Sequence, residues 1–258
     1  MNHIELPSAK PPWSRHGKRI ESMIRKALYE FDMIKDANKI AIALSGGKDS
    51  LSLLFFLKTI LGRGTPNCDL IAIHIDGKQS CGSGINKNFL KNICNNLDVP
   101  FFAETSTYDP EKLECYGCSR DRRRLIFSAA RREGANVVAF GHHRDDSAQT
   151  LLMNLFHKGE FAGLLPNLAL ADYGVRIIRP LIYVSENEVK KFAKEHGFLR
   201  TTCQCPVFSI RKRTDMLLSD LSVVFPHVRK NVASAGLIYG SRKGERGYYQ
   251  KETSKETT

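Results

Sequence analysis

The chain predicts an α/β fold, a doubly wound and mainly parallel five-stranded sheet followed by a short, helical, basic C-terminal extension. Three observations carry that reading. Short apolar runs alternate along the chain with stretches whose apolar residues recur at three- and four-residue steps. The run Lys39 to Leu44 breaks at Gly46-Gly47 and restarts at once as a leucine-rich helix. Of the 258 residues, 42% are hydrophobic and 26% charged, which suffices for one good-sized core and a smaller appendage.

Taken in order, residues 1–16 show no clear period. A helix is expected from Lys18 to Phe31, because Ile20, Met23, Ile24, Ala27, Leu28 and Phe31 fall on one face. The first strand, Lys39 to Leu44, leads through the two glycines into Leu51, Leu53, Leu54 and Leu57. Gly62-Arg63-Gly64-Thr65-Pro66 is a turn, and Asp69 to Gly77 a second buried strand, so strand, helix and strand form a right-handed parallel unit. Phe89, Leu90, Ile93 and Leu97 make the next helix face, and Val99 to Ala103 a short third strand. Arg122 to Glu133 is helical, Asn136 to Gly141 is the fourth strand, and Leu151, Leu152, Leu155 and Phe156 mark the helix after it. Arg176 to Ile182 is the fifth strand. Ser185 and Glu188 form a capping box that opens a helix ending before Gly197. Beyond Thr201 the pattern changes to basic helix over 214–238 and then to a polar tail without a core-forming pattern, for which disorder is expected. The organisation is therefore 1–34 (N-terminal helical segment), 35–200 (α/β domain), 201–240 (cysteine-containing basic extension) and 241–258 (tail).

The formal net charge of +12 favours a polyanionic partner, nucleic acid first. No run of about 18 apolar residues exists, and Met1 to Lys18 lacks an apolar signal core, so no membrane role is expected. Seven cysteines without such a signal point to a reducing compartment, the cytoplasm by default.

The chemistry begins at Ser45-Gly46-Gly47-Lys48-Asp49-Ser50. Glycines let the backbone turn with its amides convergent, a helix N-terminus adds partial positive charge, and Lys48 adds a full one. Anions are expected there. The spacing is not that of a Walker loop. It resembles the SGGxDS pyrophosphate loop of enzymes that split ATP into AMP and pyrophosphate.

In open parallel sheets ligands bind past the carboxyl ends of the strands where strand order reverses. If strands one and four flank that point, Gly141, His142, Asp145 and Asp146 face the phosphate loop. ATP chemistry needs carboxylate oxygens for Mg²⁺, and Asp49 and Asp146 are the candidates, although adjacent aspartates before a helix are commonly caps. His74 to Asp76 ends strand two, where the pyrophosphate-loop family lets backbone groups read the adenine. The imidazole of His74 reads first as a core side chain.

The cysteines divide. Cys68, Cys81 and Cys94 sit in or beside apolar stretches and read as small hydrophobes. Cys115-Tyr116-Gly117-Cys118 places two thiolates one turn apart at a loop-to-helix boundary, and Cys203-Gln204-Cys205 offers one or two more. Four thiolates suit zinc; three with an open position suit an iron-sulfur cluster. Ser119 to Arg124, with Arg131 and Arg132, is an arginine-rich stretch fitted either to solvent or to phosphate backbone, the latter favoured by the excess of charge.

Ser45 to Ser50, then Cys115-x-x-Cys118-Ser119-Arg120-x-Arg122-Arg123, then Gly141-His142-His143-Arg144-Asp145-Asp146, then Ile178-Arg179-Pro180-Leu181 and a cysteine near 203 resemble, in this order, the motifs of the tRNA 2-thiocytidine synthetases. The resemblance spans about residues 18–210. It implies an adenine nucleotide alpha hydrolase-like fold and the use of ATP, Mg²⁺ and a 4Fe-4S cluster. The implied reaction replaces the C2 oxygen of an anticodon-loop cytidine in tRNA with sulfur, with a cysteine desulfurase or another sulfur donor and a homodimer as partners. Carried over residue by residue, Cys115, Cys118 and Cys203 become cluster ligands. Arg122 becomes a candidate to stabilise developing charge. One departure is Cys203-Gln204-Cys205, because the family has two residues between these cysteines. The sister 2-thiouridine synthetases add terminal zinc-binding cysteine pairs, which this sequence does not carry. Two alternatives remain, 2-thiouridine synthesis and a zinc- and nucleotide-binding RNA-binding protein without sulfur transfer.

Overall fold

The computed structural model describes residues 6–77, 86–107, 115–198 and 210–240; the expected tail, Cys203 and Cys205 lie outside them. The elements run α1 (Arg15–Glu30), β1 (Lys39–Ala43), α2 (Lys48–Ile60), β2 (Asp69–Asp76), α3 (Lys87–Asn96), β3 (Phe101–Thr105), α4 (Cys115–Arg132), β4 (Val137–Ala139), α5 (Arg144–Lys158), β5 (Asn167–Leu170), β6 (Val175–Ile178), α6 (Glu186–Glu195), α7 (Ile210–Val224) and α8 (Val228–Tyr239). They divide into two compact units. One is formed within Met1–His143 and Pro166–Val207, the other within Arg144–Leu165 and Phe208–Thr258.

The first unit holds a six-stranded sheet in the order β3-β2-β1-β4-β6-β5. Strand β1 lies between β2 and β4, both parallel to it, so strand order reverses at the β1/β4 boundary. The sixth strand corrects the expected five. Residues Asn167–Leu170 pair antiparallel with β6 across a 3-10 turn and Gly174, whose φ of 62° suits glycine. At four residues, with none of them fully buried, β5 carries neither the length nor the alternation that marks a strand in sequence.

Register decides which side chains share a face. Ala41 is level with Ile71 and Val138, and Val138 with Ile177. These residues, with Ile73, Ile75 and Val175, form one core against Ile126, Phe127, Ala129 and Ala130 of α4. Even-numbered β2 residues, His74 among them, point to the opposite face. Helix α2 buries Leu51, Leu53, Leu54, Phe55, Phe56, Leu57 and Ile60, an apolar surface too wide for one sheet contact, and α1 and α6 pack on it as well. Trp13, from the stretch without a sequence period, joins them, its ring 5.0 Å from Phe56 and 5.7 Å from Phe192. Burying each large side chain of this kind contributes about 1.5–3 kcal/mol.

In the second unit α5, α7 and α8 meet around Ala148, Leu152, Leu218 and Ala233. Asp215 Oδ1 accepts from Gln149 Nε2 at 2.8 Å and from Arg229 Nη1 at 2.7 Å, so a carboxylate ties all three helices. The expected basic helix of residues 214–238 is the pair α7 and α8. Among the described residues no helix is long and apolar enough to cross a membrane.

Candidate functional site

Strand β1 delivers the chain to the phosphate loop through Leu44, whose N–H donates to the Ile73 carbonyl at 2.8 Å. Gly46 then adopts φ +79°, a left-handed turn that a side chain disfavours, and Gly47 caps α2 without any side-chain cap bond. The loop braces itself. Ser50 Oγ donates to the Gly47 carbonyl at 3.0 Å and lies 3.1 Å from Ser45 Oγ, which also accepts from the Gly47 N–H at 3.4 Å. The first turn of α2 carries Asp49 as its acidic side chain, set where the helix N-terminus favours negative charge.

The second loop lies against it. A Cβ built on Gly141 would sit 3.0 Å from the carbonyl carbon of Asp49 and 3.0 Å from the amide nitrogen of Ser50, so the β4 exit passes directly over the start of α2. His143, only 5% exposed, brings Nε2 to 3.9 Å from Asp49 Oδ1. His142 stacks on Phe140 at 5.5 Å, and its Nδ1 accepts from the Nε–H of buried Arg179 at 3.3 Å. Because a guanidinium only donates, the proton of neutral His142 is on Nε2.

The Lys48 ammonium lies 3.0 Å from both Asp49 carboxylate oxygens and 3.6 Å from Glu186 Oε1 on the first turn of α6. Lys190 Nζ binds the same Glu186 oxygen at 2.8 Å. Burial pushes the Glu186 carboxyl up, but the Lys190 bond and the charges of Lys48 and Lys190 outweigh it and hold the group below its ordinary range.

At the end of β2, His74 is fully buried and its Nδ1–H donates to the Leu44 carbonyl at 2.8 Å. Burial lowers its pKa, and among the described residues the buried Nε2 has no hydrogen-bond partner. The imidazole therefore belongs to the core. Asp76 pairs with Lys87 at 3.0 Å and accepts from the Gly77 N–H at 2.9 Å; the Lys87 bond keeps its carboxyl below the usual value.

Asp146 belongs to the second unit, where Arg211 Nη1 donates to its Oδ1 at 2.7 Å. Helix α4 begins at Cys115, earlier than the periodicity indicates, so Cys115 and Cys118 lie within its first turn, one turn ahead of Arg122. Cys118 is half-buried, and among the described residues the buried Arg122 Nε has no hydrogen-bond partner. Among the described residues no three His, Cys, Asp or Glu side chains gather as a metal site, and Cys203 lies outside them.

Sequence reasoning missed Glu186, Arg179 and Arg211 as neighbours of candidate groups. Arg179 had a signal in Ile178-Arg179-Pro180-Leu181, and Glu186 is visible only as part of the segment capped by Ser185. Nothing local marks Arg211.

The PP-loop domain family matches residues 16–200. The tRNA-cytidine(32) 2-sulfurtransferase of Paraburkholderia xenovorans is 37% identical over 229 residues, covering 84% of this chain and 67% of that one. The chain belongs to the PP-loop tRNA-cytidine 2-sulfurtransferase family. Another member, the tRNA-cytidine(32) 2-sulfurtransferase of Citrifermentans bemidjiense, is 35% identical over 230 residues, 84% of this chain and 89% of its own. Among solved structures, the U34-tRNA thiolase NcsA of Methanococcus maripaludis, described with its [4Fe-4S] cluster, superposes with a TM-score of 0.69 at 24% identity. The match covers 86% of this chain and 78% of that one, and it shows the shared PP-loop fold.

Proposed function

We propose that this protein is an ATP-dependent tRNA sulfurtransferase that converts an anticodon-loop cytidine to 2-thiocytidine. The observation that carries the reading is the self-braced Ser45–Ser50 loop at the strand-order reversal, with Gly141 packed on Asp49, in a chain 37% identical to a tRNA-cytidine(32) 2-sulfurtransferase.

The loop amides and the α2 N-terminus hold the phosphates of ATP, and Lys48 neutralises part of their charge. Asp49, and Asp146 by its place in the motif, offer the hard oxygen ligands that Mg²⁺ takes. The cytidine C2 oxygen attacks the α-phosphorus, an O-adenylated base forms, and pyrophosphate leaves. A sulfur nucleophile then adds at C2 and AMP departs with the original oxygen. Positioning and charge neutralisation supply most of the rate. Among the described residues the buried Nε–H of the Arg122 guanidinium lacks a partner, which supports a role toward developing negative charge.

The two cysteines on the first turn of α4 present the thiolate chemistry that an iron-sulfur group requires, and Cys203 completes the set of three carried over from the family motif. A 4Fe-4S cluster held by Cys115, Cys118 and Cys203 would supply the sulfur for this transfer. A cysteine desulfurase or another donor replenishes it in the reducing cytoplasm.

Arg120, Arg123 and Arg131 lie exposed along α4 and support a phosphate-backbone contact with tRNA. Val223, Val224, Phe225, Ile238 and Tyr239 are exposed in the second unit, apolar surface of the kind a homodimer would cover. The test is mass spectrometry of tRNA nucleosides from a deletion strain. Loss of 2-thiocytidine is expected; loss of 2-thiouridine alone, or no change, overturns the reading.

A further inference from the structure

The Lys48 ammonium faces a conflict that the loop cannot resolve alone. Its nearest partner is Asp49, which it engages through both oxygens at 3.0 Å, and Asp49 is also the carboxylate offered to Mg²⁺. If Asp49 turns to the metal, Lys48 loses its counter-charge while its flexible four-carbon stem remains free to leave the site. Among the described residues one further carboxylate stands within reach, Glu186, with Oε1 at 3.6 Å from Lys48 Nζ. That oxygen is itself anchored by Lys190 at 2.8 Å, and the carboxylate sits on the first helical residue of α6, where the N-terminus favours a negative charge. Both α6 and α2 belong to the first unit and pack directly on one another.

We propose that Glu186 is the positioning residue for Lys48, the second carboxylate that keeps the ammonium at the rim of the phosphate loop while Asp49 is engaged elsewhere. This rests on the ATP-binding reading. It runs against the simplest electrostatic expectation, because a carboxylate beside a phosphate site repels ATP and its removal ought to tighten binding. Among the described residues, the charged and titratable groups that act on Glu186 include Lys48 from α2, His143 from the β4 exit and Lys190 from its own helix. The capping box of α6 uses Ser185 and Glu188, so a change at position 186 leaves the helix start intact.

The experiment is calorimetric titration of Mg²⁺·ATP into the full-length protein and its Lys48→Ala, Glu186→Gln, Glu186→Asp and Lys48→Ala/Glu186→Gln variants, with a thermal melt of each. Glu186→Gln is expected to weaken ATP binding about fivefold, and the double variant to bind no more weakly than Lys48→Ala, since the two residues act through one ammonium. Glu186→Asp, which keeps the charge at shorter reach, falls between and carries the comparison if Glu186→Gln fails to fold. Tighter ATP binding on removing the charge overturns the proposal and leaves Glu186 as a repulsive bystander. An equal loss in the Lys48→Ala background overturns it in favour of a role in α6 alone. A wild type that binds no ATP overturns the nucleotide reading itself, and this proposal with it.

Discussion

Gly141 and Asp49 meet backbone to backbone across the point where strand order reverses, so close that a single methyl on Gly141 would lie 3.0 Å from the Asp49 carbonyl carbon and 3.1 Å from its oxygen. The contact joins the loop after β1 to the loop after β4. It fixes the height at which α2 starts, and with it the direction of the amides at the phosphate loop.

Gly141→Ala therefore pushes backbone against backbone, which has no flexible end to yield. Overpacking of this kind costs about 1–3 kcal/mol. Because the displaced atoms are those of Asp49 and Ser50, ATP affinity is expected to fall together with the urea midpoint. An alanine variant that binds ATP as the wild type does would show that the two loops are not held in register by this contact.

Replacing Lys48 by alanine removes a full positive charge from a site argued to hold a tetra-anion. The expected loss is about 2 kcal/mol or more in ATP affinity or in transition-state stabilisation. Pyrophosphate release measured with saturating tRNA is the readout, and an unchanged rate removes the loop from the mechanism.

The cysteines separate by environment. Burial pushes the Cys94 thiol up to about 12, and burial together with the Asp69 charge raises that of Cys68, which donates to the Ala37 carbonyl. Both should resist alkylation at pH 8 in the folded protein, and Cys68→Ala or Cys94→Ala should cost about 1 kcal/mol of stability with thiolation intact. Cys115→Ala, Cys118→Ala and Cys203→Ala are each expected to lose iron and thiolation while still binding ATP. Cys205→Ala is expected to keep both; if it is as inactive as Cys203→Ala, four cysteines hold the metal and no iron remains open.

His74 gives the chain an acid-sensitive term. Burial lowers its folded pKa, so the folded state binds fewer protons than the unfolded chain, whose histidine titrates near ~6.5. The neutral imidazole therefore contributes stability above that value, and the contribution declines as pH falls from there toward the lowered folded value. Carboxylates such as Asp76 and Glu186, held low by lysines, lose their share only in the more acidic range below ~4.5. Urea midpoints between pH 7 and 5 should fall less steeply in His74→Asn than in wild type; parallel slopes would place the acid sensitivity elsewhere.

The sequence by itself determined the alternation of strands and helices, the phosphate loop and the boundary of its helix, because apolar periodicity and paired glycines are local signals that survive without knowledge of neighbours. It also carried the order of motifs by which the family is recognised. The antiparallel strand β5 escaped it, since four residues, three half-covered and one exposed, form a strand only when β6 is beside them to share their hydrogen bonds. The early start of α4 at Cys115 escaped it too, as the first turn there has no apolar stripe to announce a helix. Only the tertiary structure could place Glu186 within 3.6 Å of Lys48, Arg179 on His142, and Arg211 on Asp146. Those pairs join residues 138, 37 and 65 positions apart, numbers that follow from 186 − 48, 179 − 142 and 211 − 146. Polar contacts between residues so far apart leave no period in the sequence, because they depend on which side chains the fold brings together rather than on local spacing.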